Sequence, residues 1–165
     1  MTVSTTTPYD RAGLIALIRS EFALDWQGIH GANHWARVLH HGKNIAQIRK
    51  ADLLVVELFG FLHDSCRLND GRDPDHGKRA AEFAHGIHGD YFDLQPLQLD
   101  YLCYALQHHS GGEVSTNATI QTCWDADRLD LGRVGIYPSA QYLSQEAALF
   151  IDLAHDWSIQ HPKIN

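Results

Sequence analysis

Four side chains in this sequence carry the donor atoms that a divalent metal ion needs: His34 in Gly-Ala-Asn-His-Trp-Ala-Arg-Val, the pair His63-Asp64, and Asp127 in Trp-Asp-Ala-Asp-Arg-Leu-Asp. Two neutral imidazoles and two ionised carboxylates form a nitrogen and oxygen set suited to divalent ions, with no thiolate required. Neighbouring helical residues point roughly 100° apart. His63 and Asp64 can therefore share an ion only near a helix end, which Ser65-Cys66 supplies after the apolar stretch from Leu53. Singly, a histidine on an apolar helix is more often a hydrogen-bonded core residue, and an aspartate near a helix end is more often a cap. Jointly, imidazoles and carboxylates punctuating apolar segments in the order His, His-Asp, Asp favour a common ion.

That order, with Phe-Gly-Phe-Leu leading into His-Asp and the phrase Asp-Ala-Asp-Arg-Leu, resembles the HD superfamily of metal-dependent phosphohydrolases over residues 31–135. The resemblance implies an all-α fold, a single HD-domain bundle of about six to seven helices across residues 1–165. It assigns His34, His63, Asp64 and Asp127 as ligands of a first metal. Asp125 lies two residues from Asp127 and cannot share its helical face. The family phrase places the ligand after Ala, which selects Asp127 and leaves Asp125 as a supporting or capping group. His76 and one or both of the adjacent His108 and His109 resemble the extra ligands with which some HD enzymes hold a second ion, Asp64 bridging. The implied cofactor is one or two divalent ions per chain, of Mn, Fe, Co, Ni, Mg or Zn.

The implied reaction is hydrolysis of a small phosphoester or nucleotide, with Asp64 also accepting a proton from the attacking water. Arg37, three residues after His34 as the HD pattern often has it, is expected to present its planar fork to phosphate oxygens. Arg128 is an alternative, with Asp125 or Asp130 as rival partners. Asp70, Asp73 and Asp75 are candidate general acids in a loop whose polarity explains them equally well. Two other readings fit the same residues. One is a di-iron oxygenase on this scaffold, for which His76, His108 and His109 make the ligand count sufficient. The other is a regulatory module that keeps its ion without turnover.

The elements that must position these groups read as helices. Apolar stripes of helical period predict helices over about Asp10 to Ala23, Ala32 to Lys50 and Ala51 to Cys66, the third apolar on nearly all sides and therefore central. Asn-Asp-Gly and Asp-Pro mark the loop Arg67 to Pro74. Asp75 is expected to cap a helix over His76 to His88, and a further one runs from Leu94 to His109, stopped by Ser110-Gly111-Gly112. Ala118 to Leu131 and a single terminal helix over Ala140 to Trp157 complete the set. Only Leu54-Val55-Val56 hints at a strand, and the apolar run continues through it.

Composition narrows the partners. The chain has 165 residues, 44% of them hydrophobic, and its 13 Lys and Arg against 20 Asp and Glu leave a net charge of -7. A field of that sign opposes duplex nucleic acid but not a small phosphorylated substrate, because a metal ion reverses the local sign inside a cleft. No membrane-length apolar run and no basic-then-apolar leader appear. Cys66, Cys103 and Cys123 have no paired spacing, so a reduced, cytoplasmic protein is expected. Of the 12 histidines, His155-Asp156 and His40-His41 are expected to be surface residues. No glycine-rich phosphate loop is present. The oligomeric state is left open.

Overall fold

A computed structural model describes residues 8–160. Six longer helices come first: α1 (Arg11–Glu21), α2 (Ala32–Arg49), α3 (Leu53–Leu62), α4 (His76–Ile87), α5 (Pro96–His108) and α6 (Ala118–Arg128). Two 3-10 turns, Leu131–Val134 and Ala140–Tyr142, then lead to the short α7 (Gln145–Ala148) and to α8 (Ile151–Gln160). Among the described residues there is no strand, only an isolated bridge between His88 and Phe92. The fold is all-α, and among the described residues no helix is long and apolar enough to cross a membrane.

Helix starts follow local chemistry. The Asp10 carboxylate accepts from Gly13 N, that of Asp52 accepts from Leu54 N and Val55 N, and the Asn117 side chain accepts from Thr119 N and Ile120 N. Each satisfies backbone donors that the first helical turn leaves open. α3 is buried at every position from Val55 to Leu62 and packs against α2, α5 and α6. Contact between α2 and α3 depends on small residues. A Cβ on Gly42 would lie 2.6 Å from Val56 Cγ1, and one on Gly60 would lie 2.7 Å from Leu39 Cδ1. α4 pairs with α5 in the same manner: a Cβ on Gly77 would come within 2.5 Å of the Leu106 carbonyl oxygen.

Two expectations about elements need correction. The third helix stops at Leu62 rather than near Cys66, with His63 as its C-cap, which releases His63 and Asp64 at the helix end. The terminal helix expected over Ala140 to Trp157 is broken into a 3-10 turn, α7 and α8. The cause lies in α6. Asp125 accepts from Ser144 N at 2.9 Å and Ser144 Oγ at 2.6 Å, while Gln121 Nε2 donates to the Tyr142 carbonyl. These bonds hold Leu143 extended and let the Ser144 hydroxyl cap α7. A second small core of Ile45, Leu129, Ala147, Ile151 and Ala154 seats α7 and α8 on α2 and α6.

Candidate metal centre

The C-terminal ends of α3 and α6 deliver His63, Asp64 and Asp127 to the same depth as His34, in the first turn of α2. His34 Nε2 lies 2.9 Å from His63 Nε2, 3.4 Å from Asp64 Oδ2 and 3.2 Å from Asp127 Oδ1. His63 Nε2 is 3.4 Å from Asp64 Oδ2 and 3.5 Å from Asp127 Oδ1. Donor atoms about 2.1 Å from one ion lie about 3.0 Å apart when octahedral neighbours and about 3.4 Å apart when tetrahedral. The observed spacings fall close to that range.

Asp64 serves a second group through its other oxygen. Its Oδ1 lies 3.4 Å from His76 Nε2 and 3.6 Å from His109 Nε2, and these two nitrogens are 2.8 Å apart. His34, His63 and Asp127 form one set of possible ligands, and Asp64, His76 and His109 form the other. Asp64 touches both.

The ring orientations decide whether a cation fits. His34 Nδ1 donates to Asp130 Oδ2 at 2.6 Å, His63 Nδ1 to the Gly60 carbonyl at 3.1 Å, His76 Nδ1 to the Asp73 carbonyl at 2.5 Å and His109 Nδ1 to the Leu106 carbonyl at 2.7 Å. These acceptors place a proton on every Nδ1 and turn the four Nε2 atoms toward one another in two pairs. Such pairs repel unless positive charge stands between them. Burial alone would push the His63 imidazole down, but the Asp64 charge and the Asp127 carboxylate raise it to about 10. Burial opposes charging of His34 as well, and the carboxylates of Asp127, Asp130 and Asp64 outweigh it. The same field holds a proton or a metal cation. Asp64 and Asp127 are kept ionised: burial resists, and the imidazoles facing each carboxylate overcome it, lowering both well below the ordinary range. His76 is pushed down to about 4, by burial first and then by the charge of His109, so its lone pair is free near neutrality.

Two of the candidate residues lie off the centre. His108 does not reach the centre: its side chain is 32% exposed, beside Glu113 and the Tyr104 ring. It precedes the buried His109 on α5, and the helical rotation between neighbours turns only one of them inward. Arg37 shares the His34 face but is 2% exposed and donates from Nε to Asp130 Oδ1 at 2.6 Å. It braces the carboxylate that orients His34 and is not among the residues lining the cleft that opens on the centre. Asp130 is not among the residues that the sequence pattern selects for the centre. Its spacing of three after Asp127 is the signal that could have revealed it, since that spacing puts both near one face.

A cleft of about 280 Å³ opens on the centre through Asp64, Asp127, His76 and His109. Arg67, Arg128 and Arg133 also line it, as does Tyr142. None of the candidate acids Asp70, Asp73 and Asp75 does. Asp73 pairs with Arg79 at 2.6 Å, and Asp70 accepts from His30 at 2.8 Å.

No family model matches this sequence, and no curated protein matches it. A solved structure does: that of a predicted HD superfamily hydrolase from an uncultured Thermotogales bacterium, at 25% identity and a TM-score of 0.68, covering 91% of this chain and 87% of that one. The chain has the HD-domain fold. In this HD domain the His-Asp dipeptide is the junction of the two donor groups, with His63 in one and Asp64 between both.

Proposed function

We propose that this HD domain is a metal-dependent phosphohydrolase acting on a small phosphoester or nucleotide, with two divalent ions held by His34, His63, Asp127, Asp64, His76 and His109. The observation that carries the reading is the convergence of imidazole Nε2 and carboxylate oxygen atoms in two buried groups that share Asp64, with His34 and His63 Nε2 2.9 Å apart, His76 and His109 Nε2 2.8 Å apart, and every Nδ1 turned to a protein acceptor. A bound divalent ion would lower the pKa of water toward neutrality and polarise a phosphoryl oxygen. The chain's own residues supply orientation and charge. Asp130 fixes the His34 ring, backbone carbonyls fix the other three, and Asp64 faces one imidazole pair with each oxygen. A proton-accepting role for Asp64 would require release of one of those contacts. Three arginines around the cleft suit an anionic substrate, and the hydrolase description of the structural relative agrees with this chemistry.

The test is elemental analysis of protein purified without added metal, read with phosphate release from mononucleotides and generic phosphoesters in manganese, cobalt, nickel or magnesium. Two ions per chain are expected, with activity that Asp64→Ala abolishes together with metal binding. Tight metal binding without release of phosphate would instead favour the regulatory module. Six imidazole and carboxylate ligands also meet the count of the di-iron oxygenase alternative. Phosphate release that persists without oxygen separates the two.

A further inference from the structure

We propose that Arg128 grips the phosphoryl group of the substrate, and that its cleft selects a compact dianionic phosphomonoester over a diester or a polymer. The inference rests on the phosphohydrolase reading. Arg128 follows Asp127 at the end of α6 and lines the cleft beside it. It is 8% exposed, yet its Nη2 has no hydrogen-bond partner. A buried cationic donor without an acceptor is costly, and such groups persist where a ligand supplies what the protein lacks.

The rest of the side chain is held in place. Nη1 donates to the Tyr142 carbonyl at 2.7 Å, and the guanidinium carbon stands 5.3 Å from the Trp124 ring centre and 6.0 Å from that of Tyr142. Its plane is therefore set before any anion arrives, as bidentate recognition of phosphate favours.

The neighbouring cations are similarly tied. Arg67 donates from Nε to Asp64 Oδ1 at 3.1 Å and from Nη1 to the carbonyls of Asn69 and Gly71. Arg133 donates from Nε to the Ile29 carbonyl at 2.8 Å and from Nη1 to that of Asp130 at 3.0 Å. A chain of net charge -7 thus concentrates three anchored guanidinium groups around one opening. A phosphomonoester carries close to two negative charges near neutrality, since its second pKa is about 6, whereas a diester carries one. The cleft of about 280 Å³ lies at the lower end of ligand-site volumes. That volume suits a phosphoryl group with a small organic portion against Tyr142.

The test uses the full chain loaded with manganese, as wild type, Arg128→Gln and Arg128→Lys. Metal content is measured by elemental analysis, inorganic phosphate binding by calorimetry, and kinetics with p-nitrophenyl phosphate and bis(p-nitrophenyl) phosphate. Loss of one charge-assisted contact corresponds to roughly ten- to a hundred-fold in affinity. Arg128→Gln is expected to weaken phosphate binding by that factor at unchanged metal content, to raise KM for the monoester, and to erode the preference for monoester over diester. Arg128→Lys keeps the charge and the buried stem but loses the fork. It is expected to fall between the two, and it decides the question if the glutamine variant does not fold. Phosphate affinity within twofold of wild type in the soluble variants would overturn the assignment, and a wild type preferring the diester would overturn the substrate class. Wild type that binds phosphate through Arg128 and hydrolyses nothing would sustain the assignment and remove the phosphohydrolase reading.

Discussion

Asp130 has no exposure and joins two functions: it accepts from His34 Nδ1 and from Arg37 Nε. A carboxylate behind a metal-binding imidazole fixes its tautomer and raises its basicity, and loss of such a partner costs about ten- to a hundred-fold in metal affinity. Asp130→Asn is therefore expected to weaken manganese binding by about that factor while retaining the helical circular dichroism spectrum; calorimetric titration checks it. A second residue, His41, bears on pH. It is 6% exposed, lies beside the Trp157 ring, has no partner for Nε2, and is pushed down to about 4 by burial. The unfolded chain takes up this proton near its ordinary pKa of about 6.5. Between those values the unfolded state binds more protons, so stability is full above about pH 6.5 and declines as pH falls toward 4, by on the order of 3 kcal/mol. His41→Phe is expected to flatten that part of the acid slope in urea titrations at pH 7 and pH 5. An unchanged difference between the two pH values would assign the slope to other groups.

Among elements, the pairing of α4 with α5 decides whether a second group of donors exists. Gly77, next to His76, lets α4 approach the carbonyls of Leu106 and Gln107 at distances of 2.5 and 2.9 Å from a would-be Cβ. Those atoms are helix backbone and cannot turn aside. Gly77→Ala gains helix propensity of about 1 kcal/mol, yet it must push α4 away from α5 and draw His76 off His109. Titration with manganese is expected to show the stoichiometry fall from two ions to one per chain. A stoichiometry that stays at two would mean that the helices accommodate the methyl group. The strap formed by Asp125, Gln121 and Ser144 acts at the same scale, holding Tyr142 against the cleft. Asp125 was legible as a supporting group because it sits beside Asp127 and off its face. Its partner was not, because Ser144 is 19 residues away and nothing in the local pattern marks it.

For the whole molecule, metal binding would be coupled to folding, since the candidate donors come from α2, the ends of α3 and α6, α4 and the end of α5. An ion that binds only the folded chain stabilises it by about 2.7 kcal/mol when free metal is a hundred times Kd. For a chain of this length that corresponds to roughly 5–10 °C in Tm. Treatment with a chelator is expected to lower Tm by about that amount and manganese to restore it, as scanning calorimetry would show. An unchanged Tm would contradict a bound resident ion.

The sequence by itself determined the helical class and the chemistry of the donors. Helical period, capping residues and side-chain type are local properties, and the order of His34, His63, Asp64 and Asp127 along the chain carries the resemblance that marked them as candidate ligands. Only the tertiary structure decided which neighbours meet. Adjacent residues on a helix differ by about 100° in direction, so the packing of α5 against α4 chose His109 over His108. The depth of α2 behind the cleft turned Arg37 toward Asp130, and the pull of Asp125 on Ser144 broke a helix that its own residues would have continued.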